Sequence, residues 1–93
     1  MKYELRRTTR FKKSLKLAIK QGLNIDLLKE VVDTLQEGKK LDERYKDHKL
    51  EGNYKGTREC HIQPDWLLIY RIDKKELILT LIDTGTHSEL LNL

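Results

Sequence analysis

The sequence predicts an α+β fold in which a two-helix hairpin packs on a mostly antiparallel sheet of four to five strands, in the order β-α-α-β-β-β. Two observations support this prediction. Apolar residues repeat at helical spacing in two segments of the first half, residues 10–21 and 25–37. Three apolar, strand-like runs separated by short polar turns fill the second half. Helices and strands segregated in this way are typical of helices covering one face of a sheet.

The first half of the chain is expected to contain one short strand followed by the two helices. The strand covers residues 3–7. The first helix has a cap in Thr8–Thr9, and Asn24 caps the second, because short polar side chains accept hydrogen bonds from free backbone N–H groups. Gly22 and Gly38 end the helices, since glycine readily adopts the left-handed conformation beyond a helix C-terminus.

The second half is expected to begin with an irregular segment and to continue as a sheet. Residues 39–55 carry no clear period and are predicted to form a loop, and a loop of this length is often functional. The three predicted strands cover residues 58–62, 66–72 and 77–82. The last of them is apolar on both faces, which favours a position inside the sheet under the helices. Residues 83–86 are expected to leave the sheet.

Composition limits the possible classes of protein. With 93 residues, the chain is expected to form a single domain, residues 1–93, around one core. No apolar stretch approaches the roughly 18 residues of a membrane span, so no membrane partner is expected. The one cysteine excludes an internal disulfide and fits a reducing cytoplasm, which is the expected location.

The charge distribution points to a polyanionic partner. Nineteen Lys and Arg against fifteen Asp and Glu give a net charge of +4. The excess is concentrated in residues 1–20, where Glu4 is the only acidic residue. Such a run is often only a solvated helix face. Nucleic acid is the favoured interpretation here, because the cations far outnumber their local acidic partners.

Three histidines lie outside the predicted helices, each near turn residues. His48 lies in the loop, His61 ends the first of the three strands just before Asp65, and His87 follows the last strand. A lone surface histidine is most often without function, but three at the ends of elements favour a shared site. No two have the close helical spacing that often anchors a metal site, so acid–base chemistry is favoured over a zinc site.

RNA is the substrate on which a basic protein would use two proton transfers. A base takes the proton of the 2′-hydroxyl, and an acid protonates the departing 5′-oxygen. The nucleophile belongs to the substrate, so neither a metal nor a covalent enzyme intermediate is needed. Positive charge must also offset the anionic phosphorus. The cations nearest the first two histidines in sequence are Lys46, Lys49, Lys55 and Arg58.

Two further side chains near the histidines have alternative interpretations. Trp66, the only tryptophan, is either a core residue, as most are, or a platform on which an RNA base stacks. Cys60 precedes His61, but neighbouring side chains on a strand point to opposite faces. A Cys–His nucleophile pair is therefore disfavoured, and Cys60 is expected to be buried.

Three stretches together carry a resemblance to a known family. They read Tyr-Lys-Asp-His-Lys-Leu-Glu-Gly at 45–52, His-Ile-Gln-Pro-Asp-Trp-Leu-Leu-Ile-Tyr at 61–70 and Thr-Gly-Thr-His at 84–87. In order and spacing they resemble the YafQ branch of the RelE/ParE superfamily, the toxins of bacterial type II toxin–antitoxin systems. The resemblance covers essentially the whole chain. It implies an mRNA endonuclease that cuts codons on the translating ribosome, without a metal or another cofactor.

Carried over position by position, the family's active site falls on His48, His61, Asp65, Trp66 and His87. The implied partners are a cognate antitoxin that silences the toxin, and the ribosome with its mRNA. The resemblance also implies that the toxin–antitoxin complex binds operator DNA through the antitoxin. On this basis we expect no metal and no cofactor in the site.

The assignment of proton roles is more open than the set of residues. We expect His87 to be the general acid and either His48 or His61 to be the base, with Asp65 orienting a histidine or acting as the base itself. The family commonly has phenylalanine four residues after the last histidine, where this chain has Leu91. An aliphatic side chain cannot stack on a base as an aromatic ring does, so the resemblance does not extend to this position.

Two other classes of function are compatible with a toxin-like, basic chain. The ParE-type relatives share the scaffold but inhibit DNA gyrase without catalysis, and they do not depend on such histidines. A plain RNA-binding module would bind RNA with strong salt dependence and leave its backbone intact. The histidine set favours the endoribonuclease over both.

Overall fold

A computed structural model describes residues 2–91, and for Leu91 its backbone only. The helices and strands are β1 (Glu4–Arg7), α1 (Thr9–Lys20), α2 (Ile25–Gln36), β2 (His48–Lys49), β3 (Arg58–Gln63), β4 (Trp66–Asp73), β5 (Ile78–Gly85) and α3 (His87–Leu91). Two single 3₁₀ turns, Glu43–Tyr45 and Gly52–Tyr54, flank β2. Within the described residues, no helix combines the length and apolar character that crossing a membrane requires.

The strands form one sheet in the order β1-β5-β4-β3-β2. β1 runs parallel to β5, with Leu5 opposite Leu79, and the other neighbours are antiparallel. The predicted α+β class, the mostly antiparallel sheet and the interior position of the last strand are therefore confirmed. β2 is an additional strand at the edge, so the order of elements is β-α-α-β-β-β-β-α.

The helix ends follow the predicted signals. The Thr8 hydroxyl accepts a hydrogen bond from the Phe11 backbone N–H at 3.0 Å, and the Asn24 side chain accepts one from Asp26 at 3.1 Å. Gly22 and Gly38 lie just beyond the two helices at φ 79° and 77°, a conformation that glycine adopts without a steric penalty. Both predicted helices are confirmed to within one residue at each end.

The two faces of the sheet are covered unequally. On one face, α1 packs on β5 and α2 packs against β3, and a large apolar cluster fills the space between. Its most deeply buried side chains are Phe11, Val31, Cys60, Leu68, Tyr70 and Leu79. The other face carries a smaller cluster built on Leu67, Ile69 and Leu90, under α3 and the Gly52–Tyr54 turn. We call these the helix face and the open face.

Two sequence predictions about irregular segments are wrong. Residues 39–55 are not a structureless loop, because β2 pairs with β3 and two 3₁₀ turns flank it. Residues 83–86 do not all leave the sheet, since Thr84 lies opposite Leu68 and Gly85 opposite Leu67. Asp83 and Thr84 are polar but buried, and their side chains find hydrogen-bond partners inside the fold. Polarity therefore did not mark the end of this strand.

Candidate active site

The three histidines converge on the open face of the sheet. His48 comes from β2, His61 from β3 and His87 from the start of α3. The His61 ring lies between the other two, with its centroid 5.3 Å from that of His87 and 6.4 Å from that of His48. Residues separated by 39 positions in the sequence thus share one surface, as expected for a common site.

His87 is held by Asp65, which lies in the turn between β3 and β4. One carboxylate oxygen of Asp65 accepts the His87 backbone N–H at 3.0 Å and lies 2.8 Å from ring Nδ1. These hydrogen bonds from His87, first from its backbone and then from its ring, lower the pKa of Asp65 below its usual range. Because a carboxylate can only accept, Nδ1 carries a proton and Nε2 is the nitrogen available for chemistry.

His48 has a similar anchor on its Nδ1 side. That nitrogen lies 2.8 Å from the carbonyl oxygen of Lys46, whose own backbone adopts a left-handed φ of 50°. A carbonyl oxygen can only accept, so Nδ1 donates and Nε2 is left with a lone pair in the neutral ring. In two of the three imidazoles Nδ1 is therefore the hydrogen-bonded nitrogen and Nε2 is the remaining one.

A second carboxylate group lies beneath the histidines, and the sequence reasoning missed it. Glu59 is 3% exposed, and its Oε1 is 3.5 Å from Nε2 of His48 and 3.6 Å from Nε2 of His61. Its Oε2 is buried with no hydrogen-bond partner among the residues described. Side-chain alternation was the available signal, because Glu59 stands two residues before His61 on β3 and so shares its face.

The cluster also contains a set of donors that could hold a metal ion. Candidate ligand atoms of Glu59, His61 and His87 all lie within 4.8 Å of one another. Imidazole nitrogen with carboxylate oxygen is a donor set suited to zinc and related transition metals. Sequence spacing gave no indication of it, because the ligands come from two elements that meet only in the folded chain.

Trp66 does not belong to this surface. Its ring is 2% exposed and packs in the cluster of the helix face. The indole N–H donates to the Thr84 hydroxyl at 2.9 Å, and that hydroxyl donates to the Leu67 carbonyl at 2.6 Å. The expectation of a base-stacking platform is therefore wrong in this structure, because the ring is enclosed between β4 and the helices.

Of the four cations expected near the phosphate, only Lys46 is well placed. It lines a groove of about 480 Å³ that reaches His61 and also contains Arg44 and Tyr45. Arg44 stacks on the Tyr45 ring, with its guanidinium carbon 4.8 Å from the ring centroid. Sequence reasoning overlooked this arginine and this half-buried tyrosine, although both immediately precede Lys46.

Lys49, Lys55 and Arg58 line a different groove, on the side of the helix face. Lys49 pairs with Arg58 in the ladder, whereas His48 pairs with Glu59, so the two pairs point to opposite faces. The expectation that these three cations accompany the histidines is wrong, because strand alternation turns Lys49 and Arg58 to the other face and Lys55 lines the same groove as they do.

Comparison with known proteins agrees with the fold and identifies the family. A model of the family described as "Bacterial toxin of type II toxin-antitoxin system, YafQ" matches residues 3–92. The chain belongs to this family. The resemblance inferred from the sequence is thereby confirmed.

Individual members of the YafQ family are similar over most of their length. The mRNA interferase toxin YafQ of Escherichia coli (strain K12) is 40% identical over 81 residues, 86% of each chain. YafQ in the crystal structure of the E. coli DinJ–YafQ toxin–antitoxin complex superposes with a TM-score of 0.88 at 34% identity, over 97% of this chain and 98% of that one. A metal-bound toxin from Helicobacter pylori superposes with a TM-score of 0.89 at 43% identity, over 95% and 98%.

Two further sequence expectations concern the edges of the site. Cys60 is fully buried, and burial first, then the negative charges of Asp47 and Glu59, raises the pKa of its thiol to about 12. It stays protonated at neutral pH, and the prediction that Cys60 is buried is confirmed. Leu91, the departure from the YafQ pattern, has a side chain outside the described residues.

Proposed function

We propose that this member of the YafQ family is a ribosome-dependent mRNA endonuclease that arrests translation in the cytoplasm by general acid–base catalysis. The observation that carries the proposal is the convergence of His48, His61 and His87, with Asp65, on one open face. The substrate class is supported by similarity to a toxin named as an mRNA interferase.

In this mechanism the 2′-hydroxyl oxygen of the message attacks the adjacent phosphorus and the bond from phosphorus to the 5′-oxygen breaks. The products are a 2′,3′-cyclic phosphate and a free 5′-hydroxyl. A base takes the proton from the nucleophile, and an acid gives one to the leaving oxygen. Atoms and charge balance without a metal or a covalent bond to the protein.

His87 is the proposed acid. Asp65 fixes its ring through Nδ1, which leaves Nε2 free to hold and release the transferred proton. An anionic carboxylate also stabilises the imidazolium form from which the proton is donated. Asp65 itself is a poor candidate for the base, because its lowered pKa makes it a weaker proton acceptor than an ordinary carboxylate.

His48 is the proposed base. Its Nδ1–H donates a hydrogen bond to the Lys46 carbonyl oxygen, so the neutral ring keeps a lone pair on Nε2 that can accept the proton of a 2′-hydroxyl. His61 lies between the proposed base and the proposed acid, so its ring would border the scissile phosphate. Oε1 of the buried Glu59 lies 3.5 Å from Nε2 of His48 and 3.6 Å from Nε2 of His61.

The ribosome has to position the message. A net charge of +4 supports only weak, salt-sensitive binding of free RNA. Arg44 and Lys46, in the groove beside His61, supply local positive charge for the backbone. When the ribosome holds the message in register, the reacting groups of message and toxin are already oriented. Such orientation raises a reaction rate by several powers of ten.

The proposed partners follow from the family. A cognate antitoxin binds and silences the toxin, in keeping with the toxin–antitoxin complex formed by the E. coli relative. We also propose that the complex of this toxin with its own antitoxin binds operator DNA through the antitoxin.

The test is translation in vitro with the purified chain, followed by primer-extension mapping of the message. The proposal expects cuts within codons on ribosome-bound message, and none on the same message without ribosomes. The variant His87→Ala should leave the message intact. If the wild-type toxin left the message uncut and inhibited DNA gyrase, the chain would instead have the ParE-type function.

A further inference from the structure

The groove that reaches His61 contains side chains that the proton transfers do not use. It has a volume of about 480 Å³ and is lined from α2, from the Glu43–Tyr45 turn and from the end of β3. Sites for small ligands are commonly of this size, so the groove has room for one nucleotide. His61 belongs to its lining, and the groove therefore begins beside the position proposed for the scissile phosphate.

Arg44 and Tyr45 form a preformed stack in this groove. The guanidinium carbon of Arg44 lies 4.8 Å from the centroid of the Tyr45 ring, and its Nη2 donates a hydrogen bond to the Tyr45 hydroxyl at 2.8 Å. Tyr45 is half-buried and packs against the core cluster of the helix face, whereas Arg44 is exposed. The tyrosine ring thus supports one face of a flat cation and leaves the other face available to a ligand.

The rest of the lining suits a nucleobase and its phosphate. Arg44 and Lys46 stand against one carboxylate in the described lining, that of Glu30, so the groove keeps a positive charge. Ile62 and Pro64 add apolar surface that the flat face of a base can contact. Arginine planes and aromatic rings are the surfaces on which proteins stack unpaired RNA bases. A stacked, anionic nucleotide is the ligand that matches all three features.

The position of the groove relative to the proposed base and acid indicates which nucleotide it holds. Lys46 lines the groove, and its carbonyl oxygen accepts the Nδ1–H of His48, the proposed base. His87, the proposed acid, lies on the other side of the His61 ring and outside the described lining. The base acts on the 2′-hydroxyl of the nucleotide 5′ to the cut, and the acid acts on the 5′-oxygen of the nucleotide 3′ to it. The groove therefore lies beside the 5′ nucleotide.

We propose that this groove binds the base of the message nucleotide that carries the attacking 2′-hydroxyl, stacked on the Arg44–Tyr45 pair. The inference rests on the proposed function and names residues that recognise the message at the cut site. It also supplies the stacking surface that the enclosed ring of Trp66 does not provide. A base held in the groove fixes its ribose beside His48, so the 2′-hydroxyl is oriented for attack.

The test compares messages bound to ribosomes with the mapped cut site intact or with one abasic residue, which keeps the ribose but lacks the base. On the intact message, Arg44→Ala should lower kcat/KM for cleavage by about tenfold, as expected for the loss of one stacked base. With the abasic residue directly 5′ to the cut, wild type and Arg44→Ala should cleave equally slowly, because no base is left to stack. An abasic residue directly 3′ to the cut should leave the difference between the two proteins unchanged.

Two further variants separate stacking from charge. Arg44→Lys keeps the positive charge but has no planar group, so we expect it to lose nearly as much activity as Arg44→Ala. Arg7→Ala removes an exposed arginine from β1, on a different element. Any loss that Arg7→Ala causes should be the same on the intact and the abasic messages.

Three results would overturn the proposal. They are wild-type kcat/KM in Arg44→Ala, full activity of Arg44→Lys, and a loss in Arg44→Ala that persists on the 5′-abasic message. A loss that disappears only on the 3′-abasic message would also overturn it, since the groove would then hold the other nucleotide. Failure of the proposed function gives a different result, because the wild-type toxin would then leave even the intact ribosome-bound message uncut.

Discussion

The site contains two carboxylates beside histidines, and they are built in contrasting ways. Asp65 is exposed, lies in a turn and accepts two hydrogen bonds from His87. Glu59 is buried on a strand, stands 3.5 and 3.6 Å from two imidazoles and leaves one oxygen without a partner. One carboxylate is fixed by its hydrogen bonds, and the other is fixed by its enclosure.

The difference indicates which carboxylate of the site lowers the stability of the fold. Asp65 is exposed, so solvent as well as the hydrogen bonds from His87 stabilises its ionised form. Glu59 has lost its water, and an unpartnered buried polar atom costs roughly 1–3 kcal/mol. Such a group persists where the function requires it. Replacing Glu59 should therefore raise stability and lower activity, whereas replacing Asp65 should lower both.

The largest effect is expected at the histidine that Asp65 holds. Replacing His87 by alanine removes the proposed acid and should lower the cleavage rate on ribosome-bound message by about 10²–10⁴-fold. Single-turnover cleavage measures this directly. Ser88→Ala, at the exposed next position of α3, should keep the wild-type rate. A His87→Ala rate within tenfold of wild type would remove His87 from the acid role.

A smaller loss is expected at Asp65, because it acts through His87. Asp65→Asn keeps the shape but removes the charge and should lower the rate by about 10–100-fold. In the His87→Ala background the same change should have almost no further effect, since the two residues act as a unit. If the rate losses of the two single variants multiplied in the double variant, Asp65 would act independently of His87. Asp26→Asn on α2 is the matched surface control.

At Glu59 the prediction separates stability from activity. Glu59→Met replaces a buried carboxyl group, one of whose oxygens has no hydrogen-bond partner among the described residues, by an apolar chain of similar length. Removing that unpartnered group should stabilise the fold by about 1–3 kcal/mol. In a domain of this size, each kcal/mol raises the melting temperature by roughly 4–8 °C. We expect a higher melting temperature together with slower cleavage. Calorimetry on both proteins decides the point, and a lower melting temperature would show that Glu59 is net stabilising.

The smallest expected effect is on the pH dependence of stability. The folded-state pKa of Asp65 lies below its ordinary value of 3.8, so its contribution is present above that value and is lost as the pH falls through the lowered pKa. Wild type should therefore melt slightly above Asp65→Asn at pH 7, and the difference should shrink at pH 3. Thermal melts at both values test this. A difference in melting temperature that is larger at pH 3 than at pH 7 would contradict a lowered pKa of Asp65.

The fold was predictable where local signals were strong. The caps at Thr8 and Asn24 and the apolar periods behind them fixed both helices, because capping and periodicity depend on residues only a few positions apart. The two-residue strand β2 carried no such signal. It exists because it pairs with the edge of β3, which is a tertiary effect.

The site was predictable in its histidines but not in its surroundings. Turn and strand-end positions correctly indicated that His48, His61 and His87 lie together. Proximity in sequence misplaced Lys49 and Arg58, because a strand turns neighbouring side chains to opposite faces. Glu59 was overlooked for the converse reason, since the same alternation brings it beside His61.

The central claim is that the substrate's own 2′-hydroxyl is the nucleophile and that the protein supplies only proton transfers. The most direct measurement is cleavage of ribosome-bound message carrying a single 2′-deoxy residue at the mapped cut site. Toxin is treated with chelator first, and the magnesium that keeps ribosomes assembled is restored afterwards. The account predicts full cutting of the all-ribose message and none at the deoxy position. Cutting at that position would contradict it, as would activity that returns only when zinc or another transition metal is added.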